Sequence, residues 1–145
     1  MKIEFSADQF RALVELAYLG NWMVNGIRVP ADHVERYSQV EQYLFSLAGQ
    51  FGLRDVAEIY EPLAARVPTA AFEERMAEWI AEYDNQTFWD ELVDRLADRD
   101  LFIEYGEAFG ALPVEQQLAK REPIVQRYER EFQEHGLDRV RIPEF

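Results

Sequence analysis

The sequence contains no cysteine and only two histidines, His33 and His135, among its 145 residues. The lack of cysteine excludes disulfide bonds, thiolate metal ligands and a thiol nucleophile. A single histidine in each region of the chain does not supply the ligand set of a zinc site. The sequence also lacks a glycine-rich phosphate-binding loop, a GxSxG nucleophile motif and an HExxH metal motif. Because these motifs are absent, the sequence predicts no catalytic residue, no metal site and no cofactor.

Long hydrophobic runs are also missing. No run of 18 apolar residues occurs, and the segment Met1-Lys2-Ile3-Glu4 has neither the basic start nor the apolar core of a secretory signal. We therefore expect a cytoplasmic, soluble protein that has no contact with a membrane.

Basic residues are fewer than acidic ones. The chain has 15 lysines and arginines and 28 aspartates and glutamates, which gives a net charge of −13. Most of the imbalance lies in residues 73–107, which contain twelve acidic and three basic residues. Such a field repels the phosphates of nucleic acids and of anionic membranes, so we expect no direct nucleic-acid binding. This negative charge suits a basic protein partner or a bound cation, although surface charge that only keeps the protein soluble has the same appearance.

The remaining composition is that of a globular domain. Hydrophobic residues make up 48% of the chain and aromatic residues 14%, which is enough for a core in a chain of this length. We predict a single all-α-like domain over residues 1–145. The fold class is mainly α, a compact bundle of five to seven helices. Polar and apolar residues alternate over 2–5 and 139–142, so we also predict a small two-stranded ribbon between the N- and C-terminal segments.

Several local signals mark helix ends. Ser6-Ala7-Asp8-Gln9 matches a capping box, and Gly52-Leu53 matches a left-handed helix stop with an apolar residue folded back. Arg54 to Tyr60 has the pattern of a short helix. Gly20 lies inside the first helix, which indicates close approach of another helix. Pro123 lies inside the last helix, where we expect a kink or a break.

Thr69–Gly106 is the segment around which we expect the fold to be organised. Its apolar residues follow helical spacing in two groups, and Asp84-Asn85 separates them, so the prediction is an antiparallel hairpin of two helices. The tryptophans of the two groups, Trp79 and Trp89, are predicted to lie in the core. The first group comprises Phe72, Met76, Trp79, Ile80 and Tyr83; the second comprises Phe88, Trp89, Leu92, Val93 and Leu96.

The polar sides of these helices carry carboxylates at every fourth position. Like charges four residues apart on a helix repel, at a cost of about 0.2–0.5 kcal/mol per pair. We therefore predict that the face of the 73–107 helical hairpin binds a basic partner, and that the chain is a non-enzymatic acidic binding or regulatory protein. Replacing Glu74, Glu78, Asp94 and Asp98 by lysine should leave the isolated fold as stable or more stable, because the repulsion is relieved. The predicted partner-binding residues are Glu74, Glu78, Glu82, Asp90, Asp94 and Asp98.

An enzymatic alternative rests on two carboxylate pairs. Glu58-x-x-Glu61 and Glu91-x-x-Asp94 resemble the ExxE and ExxD motifs with which all-α nucleotide pyrophosphohydrolases bind magnesium. The resemblance covers only these four positions, and Pro62 interrupts the first pair's helix. It implies a divalent-metal-dependent nucleotide hydrolase that uses clustered carboxylates.

Overall fold

The computed structural model describes residues 3–63 and 65–141 and is mainly helical, as predicted. Within that part of the chain there are four α-helices, where five to seven helices were predicted. They are connected by short 3₁₀ turns and one pair of strands. The elements are α1 (Ala7–Asn25), α2 (Glu35–Leu47), β1 (Ala57–Tyr60), β2 (Ala65–Pro68), α3 (Ala70–Tyr105) and α4 (Val114–His135), with 3₁₀ turns at Pro30–Asp32, Ala48–Phe51, Glu61–Leu63 and Gly106–Ala111.

The chain divides into two compact units, Met1–Glu82 (unit 1) and Tyr83–Phe145 (unit 2). The boundary lies inside α3, so the first turns of that helix belong to unit 1 and the later ones to unit 2. The single domain expected over residues 1–145 stays a prediction. None of the helices that the structure describes is long and apolar enough to cross a membrane.

Unit 1 is built on an antiparallel pair of helices, α1 and α2. The capping box predicted at the start of α1 is confirmed: the Ser6 hydroxyl accepts from the Gln9 amide at 3.2 Å, and the Ser6 amide donates to the Gln9 side chain at 2.9 Å. Phe45 and Phe72 meet edge to face at the centre of the core, with ring centroids 5.9 Å apart. The buried side chains of this core are Phe10, Val14, Leu44, Phe45, Ala48, Leu53, Val56, Ala57, Phe72 and Met76.

The helix stop at Gly52-Leu53 is also as predicted. Gly52 has φ +74°, and the Leu53 amide donates to the Ala48 carbonyl at 3.0 Å. Leu53 is buried against the core. Gly20 differs from the prediction, because a Cβ built on it would meet no atom within 4 Å among the described residues. No helix approaches Gly20 in that part of the chain.

The strands lie in mid-chain and not at the termini. Strands β1 and β2 pair antiparallel, with Ala57 opposite Pro68 and Tyr60 opposite Ala65. The short helix predicted over Arg54 to Tyr60 is therefore wrong. The terminal ribbon is not formed either, since residues 3–5 and 139–141 are not strands. Residues 2 and 142, which were included in that prediction, lie outside the described residues.

The predicted helical hairpin is one continuous helix of 36 residues, α3. Asp84-Asn85 does not break it, because residues 70–105 contain neither glycine nor proline, and Asp and Asn lower helix propensity by only about 0.7 kcal/mol. The helix ends at Tyr105, where Gly106 adopts φ +58°.

The buried residues of α3 lie in two separate stretches of the helix, one in each unit. Phe72 and Met76 are buried in unit 1, and Val93, Ala97 and Leu101 are buried in unit 2. Between them, no residue from 77 to 92 is buried. The prediction that Trp79 lies in the core is wrong, because its side chain is 49% exposed.

In unit 2, α4 runs back along the later turns of α3. Trp89 contacts Phe132, and Lys120 lies 4.4 Å from the ring centre of Tyr105, so the two helices are antiparallel. Pro123 lies within α4, which continues to His135 without a break.

Asp100 is the main polar link between these helices. One of its oxygens accepts from the Tyr128 hydroxyl at 2.6 Å and from Arg127 at 2.7 Å; the other accepts from Arg99 at 2.7 Å. Asp100 therefore lies on the side of α3 that meets Tyr128 of the neighbouring helix.

Candidate functional site

The six carboxylates predicted to bind a partner are exposed and lie on α3. They do not form the face of a hairpin, because α3 is a single helix. Glu74, Glu78 and Glu82 belong to unit 1, whereas Asp90, Asp94 and Asp98 belong to unit 2. The two groups are therefore two separate surfaces.

Two members of the second group lie at a groove in unit 2 that is formed by α3 and α4. The groove has a volume of about 680 Å³, which is within the range of ligand-binding pockets. Asp90 and Asp94 both line it. The lining residues are Gln86, Trp89, Asp90, Val93 and Asp94 from α3, and Val125, Glu129, Phe132 and Gln133 from α4.

The floor of this groove is apolar and aromatic. The rings of Trp89 and Phe132 lie 5.6 Å apart, one from each helix. Phe88 packs edge to face on Trp89 at 5.0 Å, and Tyr128 stacks on Phe132 at 6.0 Å. These contacts hold both floor rings between neighbours, so the floor exists before any ligand arrives.

The rim of the groove is acidic, and its carboxylates differ in how they are paired. Asp94 accepts a hydrogen bond from Arg121 of α4 at 2.6 Å, and this bond raises the pKa of the Arg121 guanidinium. Asp90 accepts from the neutral amide of Gln86 at 2.9 Å and, within the described part of the chain, from no other group. Glu129 has no ion-pair or hydrogen-bond partner among the described residues. Two of the three rim carboxylates thus have no counter-charge from residues 3–63 or 65–141.

Asp98 lies away from the groove. It contacts Arg121 at 3.4 Å and lines a smaller cavity of about 510 Å³ with Leu101, Phe102 and Phe109. In the first group, Glu74, Glu78 and Glu82 have no ion-pair or hydrogen-bond partner among the described residues.

Glu129 was not among the partner-binding residues predicted from the sequence. A signal for it is present, because Val125 and Phe132 are apolar and Glu129 lies four residues after the first and three before the second. Residues at these spacings share one side of a helix. What the sequence lacked was the register between α3 and α4, which places Glu129 opposite Asp90.

The two carboxylate pairs of the enzymatic alternative do not lie together on helices with free oxygens, as a magnesium site of that kind would need. Glu58 lies in β1 and Glu61 in a 3₁₀ turn, so this pair is not on a helix. Glu91 pairs with Arg95 at 3.0 Å, and Asp94 pairs with Arg121. Across residues 3–63 and 65–141, no group of three His, Asp or Glu side chains is placed to hold a metal ion.

Comparison of the chain with protein-family models, with curated proteins and with solved structures found no match. The function is therefore inferred from the residues of this chain alone.

Proposed function

We propose that this protein is a non-enzymatic binding or regulatory protein, and that the groove of unit 2 binds a basic segment of a protein partner. The observation that carries the proposal is that Asp90 and Glu129, two carboxylates without a counter-charge, border a groove whose floor is made by Trp89 and Phe132. The site of action that we propose is the cytoplasm, as the sequence analysis predicts.

The groove fits the two parts of a lysine or arginine side chain. The aliphatic stem of such a side chain packs on an apolar surface while its charged head stays near water. Trp89 and Phe132 offer that surface, and a cation above an aromatic face gains about 0.5–1 kcal/mol at an exposed site. Asp90 and Glu129 lie at the rim, where they can accept charge-assisted hydrogen bonds from the head group.

The wider charge of the protein supports the same class of partner. A net charge of −13 attracts a basic segment from a distance and repels nucleic acids. Glu74, Glu78 and Glu82 lie in unit 1 and contribute to this negative field. Their part in the proposal is to speed the encounter, and not to contact the bound segment.

A peptide titration tests the proposal. The probe is an 18-residue peptide of lysine and leucine at helical spacing, and a glutamate–leucine peptide of the same pattern is its control. Replacing Trp22 and Trp79 by phenylalanine leaves Trp89 as the only tryptophan, so its emission reports on the groove. We expect the lysine peptide to shift Trp89 emission saturably and to bind more weakly as salt rises. The glutamate peptide should cause no shift.

Two charge-matched variants separate a site from general charge. Asp90→Asn with Glu129→Gln removes two charges at the groove, and Glu74→Gln with Glu78→Gln removes two in unit 1. We expect the first pair to weaken peptide binding by about tenfold or more, which is about 1.4 kcal/mol. The second pair should reduce mainly the association rate. Equal weakening by both pairs, or no saturable shift in Trp89, would show that the acidic residues serve solubility and would refute the proposal.

A further inference from the structure

A separate cavity of about 300 Å³ lies in unit 1, where the second half of α1 faces the loop that follows it and the first turns of α2. This volume is at the lower end of the range for small-molecule sites. Its lining combines aromatic rings with groups of both charges. The residues that matter for the argument are Tyr18, Asn21, Trp22, Arg28, His33 and Glu41.

Two side-chain amides, one buried and one half-buried, support the wall of this cavity. Asn25 is only 5% exposed; its side-chain oxygen accepts from the Val34 amide at 2.8 Å, and its nitrogen donates to Asn21 at 2.7 Å. Asn21 in turn donates to Oε2 of Glu41 at 2.9 Å. Since a partly buried hydrogen-bond network restrains its members, the Glu41 carboxylate is positioned before any ligand binds.

Glu41 is left without a counter-charge. No Lys, Arg or His of the described residues forms an ion pair with it, and no donor within them reaches its Oε1. Burial raises the pKa of the Glu41 carboxyl, with Asn21 opposing that shift. A partly buried, uncompensated carboxylate costs stability, so packing alone does not explain why a glutamate occupies this position.

The basic groups of the same cavity are also unpaired. The side chains of Arg28 and His33 contact no acidic residue in the described part of the chain. The cavity therefore offers three kinds of group. The Glu41 carboxylate can accept hydrogen bonds from a cation, Arg28 and His33 can donate hydrogen bonds, and the ring of Trp22 is 37% exposed.

We propose that this cavity binds a small zwitterion of amino-acid size. The ammonium group of the ligand donates to Glu41, and its carboxylate accepts from Arg28. His33 lies beside the carboxylate, and Trp22 covers the apolar part of the molecule. This site lies in unit 1 and does not depend on the groove proposed to bind a basic protein segment.

An NMR titration tests the site with defined probes. The indole N–H signals of a ¹⁵N-labelled sample are followed while each of the twenty common L-amino acids is added, and ethylamine and acetate are added separately. The Trp22 signal is assigned from its loss in Trp22→Phe. We expect at least one amino acid to shift the Trp22 signal saturably and to leave that of Trp89 unchanged. Ethylamine and acetate should bind at least tenfold more weakly.

Substitutions at both charged ends complete the test. Glu41→Gln retains an oxygen for Asn21, so its fold is preserved, and we expect it to weaken amino-acid binding by about ten- to hundredfold. Arg28→Gln should do the same. Glu35→Gln and Arg54→Gln are matched controls outside the cavity and should bind like the wild type.

Three results would overturn this proposal. No amino acid shifts the Trp22 signal; or ethylamine or acetate alone binds as well as the best amino acid, which shows a site for a single charge; or Glu41→Gln, shown to be folded by circular dichroism, binds like the wild type.

Discussion

The link between Asp100 and Tyr128 in unit 2 gives the sharpest stability prediction. The Tyr128 hydroxyl donates to the Asp100 carboxylate at 2.6 Å, and Arg99 and Arg127 each donate to it at 2.7 Å. The perturbation is Asp100→Asn, which keeps the size of the side chain and removes its charge. Tyr128→Phe, which removes only the hydroxyl, is made alone and in combination.

The magnitude follows from the exposure of the partners. The Asp100 side chain is 22% exposed, and a hydrogen bond to a charged group of this kind contributes about 1.5–3 kcal/mol. The arginine side chains are 56% and 63% exposed, so their ion pairs add less than about 1 kcal/mol each. We expect Asp100→Asn to lower the free energy of unfolding by about 2 kcal/mol. Tyr128→Phe should lower it by about 1 kcal/mol, and the two changes should be less than additive.

The assay is urea unfolding followed by Trp89 emission at several pH values. The hydrogen bond from Tyr128 and the neighbouring Arg99 lower the pKa of Asp100. A carboxyl whose folded-state pKa is lowered stabilises the protein above its unfolded-state pKa, about 3.9, and this contribution is lost as pH falls through the folded-state value. The difference between wild type and Asp100→Asn should therefore be constant near neutral pH and shrink below about pH 4.

A control on the same helix guards against a general charge effect. Glu104 is exposed and has no partner among the described residues, so Glu104→Gln should change stability by less than about 0.5 kcal/mol. If Asp100→Asn unfolds like this control, or if its deficit is unchanged at pH 3, the carboxylate does not link α3 to α4 and the reasoning fails.

Three further predictions concern other positions. Glu41→Gln should raise the melting temperature at pH 7, because burial raises the folded-state pKa of this carboxyl and so penalises its charged form. The gain in melting temperature should vanish below about pH 4, where the carboxyl is neutral, and a lower melting temperature at pH 7 would contradict the prediction. Gly20→Ala should add about 0.5–1 kcal/mol to the free energy of unfolding, since Gly20 lies on an open helix face, whereas Gly52→Ala should lose about 1 kcal/mol because φ is +74° there. Asp94→Lys should lose about 1 kcal/mol through its broken ion pair with α4, whereas Glu78→Lys should be neutral or stabilising; equal melting of these two variants would count against the ion pair.

The expectation that lysine at the acidic positions would leave the fold as stable or more stable is therefore kept only for unit 1. Asp94 and Asp98 of unit 2 both pair with Arg121 of α4. A sequence shows the repulsion between neighbours on one helix, because that depends on spacing alone. It does not show the arginine of another helix, which relieves that repulsion.

Features that depend on neighbouring residues were predictable from the sequence. The capping box at Ser6 and the left-handed stop at Gly52 each close within one turn, so a short motif specifies them. The acidic members of the candidate groove, Asp90 and Asp94, were found in the same way. Glu129 and the pairing of Trp89 with Phe132 were not, because they depend on how α4 lies along α3.

The failures have physical causes as well. Asp84-Asn85 was predicted to separate two helices. Without glycine or proline, the helix continues through both residues. The strand Ala57–Tyr60 was assigned to a helix because four residues are too few to separate a period of two from one of 3.6. The termini did alternate between polar and apolar residues, but alternation alone does not select a pairing partner.

The distribution of buried residues along α3 has a consequence for how this helix comes apart. Helices commonly fray from their ends, where backbone groups lack partners. In α3 the contacts with each unit's core lie toward the two ends, and between residues 77 and 86 every side chain is exposed except that of Ile80, which is half-buried. The turns of this stretch have little packing to add to intrinsic helix propensity, which is marginal for a segment of this length in water. Transient opening of α3 therefore begins at its centre, and the amide protons there exchange with solvent before those of the first and last turns.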